Sequence, residues 1–231
     1  MKTTVVMLAG MMCDARLFAP QADMLARDYD VLVPPPEPLT TMAELASDIL
    51  DKAPERFALC GLSMGGIIAM EMMAQAPQRV SHLALLDTNP LAETEAGIIR
   101  RNRQIEDVKA GRLAQIMAEE MKPMYLADSP DSSAILNICM EMALTCGDEI
   151  FITQSLALRD RPDQTDTLRA VACPTLILQG ADDRLCPADR HMLMHQLIPH
   201  AEYIQIEGAG HLPPLEQPEK TLAALKSWLS G

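Results

Sequence analysis

The chain has 231 residues, 48% of them apolar, which is enough for one sizeable α/β domain with its own core. Its 19 basic residues stand against 32 acidic ones, a formal net charge of -13. A surface of that sign repels phosphate backbones and anionic bilayers, so neither nucleic acid nor a membrane is expected as a partner.

In chain order, Thr3 to Ala9 is a continuous apolar run that predicts a strand covered on both faces, ending at Gly10. A helix is expected from about Leu17 to Arg27, then a short strand from Asp30 to Val33, stopped by Pro34-Pro35-Pro36. Thr40 and Thr41 ahead of Glu44 give a cap signal for a helix running to about Lys52. The apolar stretch Phe57-Ala58-Leu59-Cys60 predicts a third strand. It leads into Gly61-Leu62-Ser63-Met64-Gly65-Gly66 and then a helical run that ends before Pro77. A fourth strand is expected over Val80 to Leu86, finishing at Asp87-Thr88-Asn89-Pro90.

The alternation then breaks. From about residue 91 to 168 the periodicity is helical, with candidate helices over Glu93–Lys109, Arg112–Met121, Ser132–Thr145 and Asp148–Asp160. Strand Thr175–Gln179, helix Ala188–Ile198, strand Glu202–Ile206 and helix Pro218–Leu229 follow. Strands alternating with helices predict an α/β fold: a three-layer αβα sandwich around a mostly parallel sheet. Residues 1–90 and 169–231 form the expected core. Residues 91–168 read as a helical lid inserted after the fourth strand, over the sheet edge where open α/β folds bind ligands. No stretch reaches transmembrane length, and with no basic segment leading into a long apolar core an export signal is not expected. The six cysteines lack paired spacing, so reduced thiols and a cytoplasmic setting are expected.

Serine between two glycines, on a turn from strand to helix, is a nucleophile elbow: the crowded turn lifts the Ser63 hydroxyl off the sheet. A serine hydroxyl needs a base to take its proton and a carboxylate to orient that base. His211, in the loop Glu207-Gly208-Ala209-Gly210-His211-Leu212-Pro213-Pro214 after the last strand, is the candidate base. Asp183, in Gln179-Gly180-Ala181-Asp182-Asp183-Arg184, is the favoured acid, with Asp182 and Asp87 as alternatives. Two backbone donors should face a developing oxyanion: the N–H of Met64, directly after the serine, and that of Met11, after the first strand.

Other residues carry weaker signals. His191 and His195 are four apart on a helix but have no third ligand near in sequence, so a solvated face rather than a metal site is expected. Cys13 and Cys60 fall near the site and read as packing. Met117, Met121, Met124, Met140 and Met142 in the insertion read as core, with some lining an adaptable acyl pocket. Arg100-Arg101-Asn102-Arg103 reads as an exposed helix face, with a substrate carboxylate as its alternative partner.

The elbow, Gly180 to Asp183, Gly210-His211 and Leu215-Glu216-Gln217-Pro218, together with Leu8 to Leu17, resemble the α/β-hydrolase superfamily over nearly the whole chain. They are similar to small bacterial hydrolases of the esterase and C–C hydrolase kind. The resemblance implies a Ser63–His211–Asp183 triad, no cofactor and no metal. The family often has His-Gly in the oxyanion loop where this chain has Ala9-Gly10, and the two strands that usually precede the first are absent, which predicts about six strands. Serine at the elbow also separates the chain from dehalogenases and epoxide hydrolases, which use aspartate there. The expected activity is hydrolysis of a small-molecule ester, thioester or lactone. Two alternatives stand beside it. One is cleavage of a C–C bond in a diketone-like ring-cleavage product, which basic residues inside the pocket would favour. The other is a non-catalytic ligand receptor, marked by a closed pocket or by triad residues out of hydrogen-bond reach.

Overall fold

A computed structural model describes residues 2–129 and 132–231. Six strands, β1 (Thr4–Leu8), β2 (Asp30–Leu32), β3 (Phe57–Leu62), β4 (Val80–Leu86), β5 (Thr175–Gly180) and β6 (Glu202–Ile206), form one sheet in the order β2-β1-β3-β4-β5-β6. Every pairing is parallel. The order doubles back at β1 and β3, so the C-terminal ends of β1, β3, β4 and β5 share the edge where such sheets bind ligands.

The alternation of side chains along the strands divides the core in two. Val5, Met7, Cys60, Leu62, Leu86 and Leu178 pack with α1 (Ala19–Leu25) and the C-terminal helix on one face. Val6, Leu8, Leu59, Leu83, Leu85 and Ile177 pack with α2 (Met42–Lys52) and α3 (Met64–Gln75) on the other. Thr41 caps α2 by accepting the Glu44 N–H. α3 is apolar almost all round, and nine of its residues are buried, as befits a helix packed on several sides.

Between β4 and β5 the chain forms α4 (Glu95–Lys109), α5 (Leu113–Ile116) with a wider π turn over Met117–Met121, α6 (Ser132–Arg159) and α7 (Thr165–Arg169), with no strand among the described residues. The two helices expected over Ser132–Thr145 and Asp148–Asp160 are both present within α6, separated by a break at Gly147, where φ is 78° and ψ is -179°. Only glycine takes up that backbone readily, so the helices meet without an intervening loop. α8 (Ala188–Leu197), α9 (Pro213–Glu216) and α10 (Pro218–Ser230) complete the chain. No described helix is long and apolar enough to cross a membrane.

Candidate active site

β3 ends at Leu62 and α3 begins at Met64, which leaves Ser63 alone to turn the chain, at φ 55° and ψ -116°. A non-glycine residue at that backbone angle costs on the order of 1–3 kcal/mol and persists only where its surroundings hold it. The neighbours do so. The Ser63 N–H donates to Leu86 O at 2.9 Å, and Thr88 Oγ1 donates to Ser63 O at 2.7 Å, so the elbow is tied to the end of β4. A Cβ on Gly61 would run into the Gly65 carbonyl, and one on Gly65 into the carbonyl of Leu8, so both flanking glycines are required by close backbone approach.

His211 Nε2 lies 2.9 Å from Ser63 Oγ. On the other side of the ring, Nδ1 lies 3.0 and 2.9 Å from the two oxygens of Asp183. Asp183 Oδ1 also accepts the N–H groups of Leu185 and Cys186, at 2.8 and 3.0 Å. Burial alone would raise the Asp183 carboxyl. The His211 ring and these donors outweigh it and hold the carboxyl below the ordinary range. Of the three acid candidates, Asp183 therefore faces the imidazole. Asp182 is exposed and donates its N–H to Ala209 O at 2.9 Å. Asp87 is fully buried at φ 43° and accepts the Gly180 N–H through Oδ1 at 2.8 Å.

The histidine loop has a support that the sequence hardly announces. The Glu216 carboxylate accepts the N–H of Gly210 at 2.9 Å, of Leu212 at 3.0 Å and of Ala127 at 2.8 Å. The His211 N–H donates to Tyr125 O at 2.6 Å, and the Tyr125 ring stacks on the imidazole at 6.3 Å. Glu216 stands in a short motif with Leu215 and Pro218, yet three donors converging from two segments are visible only in three dimensions.

The N–H groups of Met11 and Met64 have no hydrogen-bond partner among the described residues. The next N–H, that of Met12, is taken by Gln154 Oε1 of α6 at 2.9 Å, and Met12 itself sits at φ 58°. Gln154 thus braces the loop that carries Met11. Nothing in its sequence surroundings marks it, because the partner is 142 residues away.

A cavity of about 520 Å³ opens over Ser63 and His211, between the strand ends and the β4–β5 connection. Met11, Ile67, Met121, Met124, Leu158 and Leu185 supply apolar wall. Met117 and Met142 instead belong to the buried core. Cys13 and Cys186 also line the cavity, and burial pushes both thiols well up, away from the thiolate that a nucleophile needs. Cys60 is buried and its thiol is likewise raised by desolvation.

Two expectations about surface residues are corrected. Arg101 is not on an exposed face: its side chain is 14% exposed and donates through Nε to Glu93 Oε2 at 2.8 Å inside the cavity wall. His191 is fully buried rather than solvated, and burial pulls it down to about 4, while His195 stacks on Tyr203 at 5.9 Å. Both departures come from the rotation of a side chain about its helix axis, which packing sets.

Among the described residues, two groups bring three metal-capable atoms together, Asp183 with Cys186 and His211, and Asp87 with Asp183 and His191. Both draw on Asp183, whose oxygens already serve His211 and two N–H groups.

A sequence model of the alpha/beta hydrolase family matches residues 5–225. The putative carbamate hydrolase RutD of Yersinia enterocolitica is 25% identical, over 98% of this chain and 87% of its own length. The pimeloyl-[acyl-carrier protein] methyl ester esterase of Nitrosomonas europaea is 26% identical, over 79% of this chain and 75% of its own. Among solved structures, a thermophilic esterase from Thermogutta terrifontis with malate bound superposes with a TM-score of 0.93 at 29% identity. That match covers 99% of this chain and 89% of the esterase.

Proposed function

The chain belongs to the alpha/beta hydrolase family, and from that membership we propose that it cleaves a small-molecule carboxylic ester, thioester or lactone through an acyl-Ser63 intermediate. The observation that carries this reading is the hydrogen-bonded line from Ser63 Oγ through His211 to Asp183 at the floor of an open cavity. Relatives named as a methyl ester esterase and an esterase support the bond type.

In this mechanism His211 Nε2 removes the Ser63 proton as Oγ attacks the acyl carbon, and then protonates the leaving group. It next activates the water that releases the acid. Asp183 keeps the proton of the neutral imidazole on Nδ1 and favours the imidazolium that forms, while its two backbone donors fix its own orientation. The free N–H groups of Met11 and Met64 receive the oxyanion of the tetrahedral intermediate, the first held in place by Gln154 through Met12. In this reading residues 1–90 and 169–231 are the catalytic core and residues 91–168 are the lid, which contributes Met121 and Met124 to the acyl pocket.

The arginines in the cavity wall favour a second reading, hydrolysis of a C–C bond in an anionic diketone-like substrate. The receptor reading gains no support, since the three side chains are within reach of one another and the cavity is open. Hydrolysis of p-nitrophenyl esters of increasing chain length, beside Ser63→Ala, tests the proposal. Wild-type turnover that drops roughly 10³-fold or more in the variant is expected. Ester turnover unchanged in Ser63→Ala would remove the serine from the mechanism, and a folded wild type inert to every ester would move weight to the C–C hydrolase.

A further inference from the structure

The cavity wall carries more positive charge than its own carboxylates can balance. Arg100, Arg101, Arg161 and Arg184 line it, against Glu93 and Glu120. Glu120 is engaged elsewhere, by Arg103 and by Gln104 Nε2 at 3.0 Å. Glu93 Oε2 is therefore shared by two guanidinium groups, Arg101 Nε at 2.8 Å and Arg161 Nη1 at 3.0 Å.

The two arginines are not equivalent. Arg161, 6% exposed, is also held by the chain, giving Nε to Leu91 O at 2.9 Å and Nη1 to Leu158 O at 3.3 Å. Arg101 has no such backbone partners. Its Nη1 meets only Met11 Sδ, at 3.9 Å, and its Nη2 has no partner among the described residues. Arg100 and Arg184, both exposed, have no ion pair among the described residues. Burial weakens the proton affinity of Arg101, and the like charges of Arg161 and Arg100 add to this, yet a guanidinium stays charged in any protein.

Arg101 is thus a largely buried cation that shares its counterion and keeps donors open to the cavity, where an anion could be received. The chain's net charge of -13 makes the concentration of arginines here a local feature and not a consequence of composition. The contact with Met11 places the free end of Arg101 beside the loop whose N–H is proposed to face the oxyanion.

We propose that Arg101, assisted by Arg100 and Arg184, binds a free carboxylate of the substrate, so that the bond cleaved at Ser63 belongs to a small ester that also carries a carboxylate. A planar fork of donors matches a carboxylate in two-point geometry, and a partly dehydrated site strengthens that pairing. This assignment rests on the ester reading above and narrows it. The carboxylate lies either on the acyl side, as in a half-ester of a dicarboxylic acid, or on the alcohol side.

The test compares kcat/KM for monomethyl glutarate, for carboxymethyl acetate and for neutral dimethyl glutarate, in the wild type, Arg101→Gln and Arg101→Lys. The wild type is expected to prefer one of the anionic esters over dimethyl glutarate by about tenfold or more. Which of the two it prefers gives the side that carries the carboxylate. The preference should vanish in Arg101→Gln, survive in part in Arg101→Lys, and weaken with added salt. A wild type that hydrolyses dimethyl glutarate as well as both anionic esters overturns the anion subsite and leaves the ester reading standing. If a folded wild type hydrolyses no ester, the ester reading fails and thermal stabilisation by free glutarate, against sodium chloride at equal ionic strength, decides the subsite alone. A rise in Tm that is lost in Arg101→Gln and partly kept in Arg101→Lys supports it, and no rise in the wild type overturns it.

Discussion

Asp87 Oδ1 accepts the N–H of Gly180 at 2.8 Å, which joins the C-terminal ends of β4 and β5 at the point where the chain turns toward Asp183. The other oxygen of Asp87 is buried and meets no donor among the described residues; what stands within reach is the Asp183 carboxylate. Two acceptors in that relation repel unless one carries a proton. Burial first, and then the charge of Asp183, push the Asp87 carboxyl well above its usual range, which favours the protonated form of Asp87 beside the Asp183 carboxylate.

That assignment separates two variants. Asp87→Asn keeps one acceptor for Gly180 and one donor for Asp183, so kcat/KM should stay within a few-fold of the wild type. Asp87→Ala leaves the Gly180 N–H without its partner and opens a hole beside Asp183. It should lose about 1–3 kcal/mol of stability, with a clear fall in kcat. Urea titrations and steady-state kinetics on both variants check this. A neutral Asn variant as damaged as the alanine would show that Asp87 acts as an anion.

Glu216 holds the histidine loop by accepting three N–H groups from Gly210, Leu212 and Ala127. In Glu216→Gln, one oxygen becomes an NH₂ that faces donors. His211 should lose its position over Ser63, and kcat is expected to drop by about tenfold or more with a smaller change in KM. Measuring both constants on one chromogenic ester distinguishes this from lost substrate binding, which would raise KM instead.

His191 gives the protein an acid-side weakness. Desolvation pulls it down to about 4 in the folded chain, with the Asp183 charge pulling the other way, while an unfolded histidine titrates near its ordinary 6.5. Below 6.5 the unfolded chain takes up a proton that the folded one refuses, so stability falls as pH drops from about 6.5 to about 4 and changes no further from this cause below that. The full loss is about 3 kcal/mol at most. Urea unfolding at pH 7 and pH 4.5 should therefore show a smaller acid loss in His191→Leu than in the wild type. Equal losses would mean that the ring is not kept neutral.

Features whose cause is local can be read from the order of residues alone. A short continuous apolar run such as Val5 to Ala9, stopped by Gly10, reads as a strand covered on both faces. The glycines around Ser63 mark a turn where no Cβ fits, and the Gly-Pro-rich segment around His211 cannot continue a strand. The fold class and the candidates Ser63, His211 and Asp183 were legible on that basis. What the chain order leaves open is direction. Asp87, Asp182 and Asp183 all sit at strand ends, and only the packing of β4 against β5 turns Asp183 to the imidazole and shuts Asp87 behind it. Arg100 and Arg101 are neighbours on α4, yet one residue turns a helix by about 100°. That rotation carries Arg101 into the cavity wall beside Glu93 and leaves Arg100 exposed. The brace from Gln154 to Met12 spans 142 residues, and no local pattern predicts a contact that exists only because the β4–β5 connection folds back over the sheet edge.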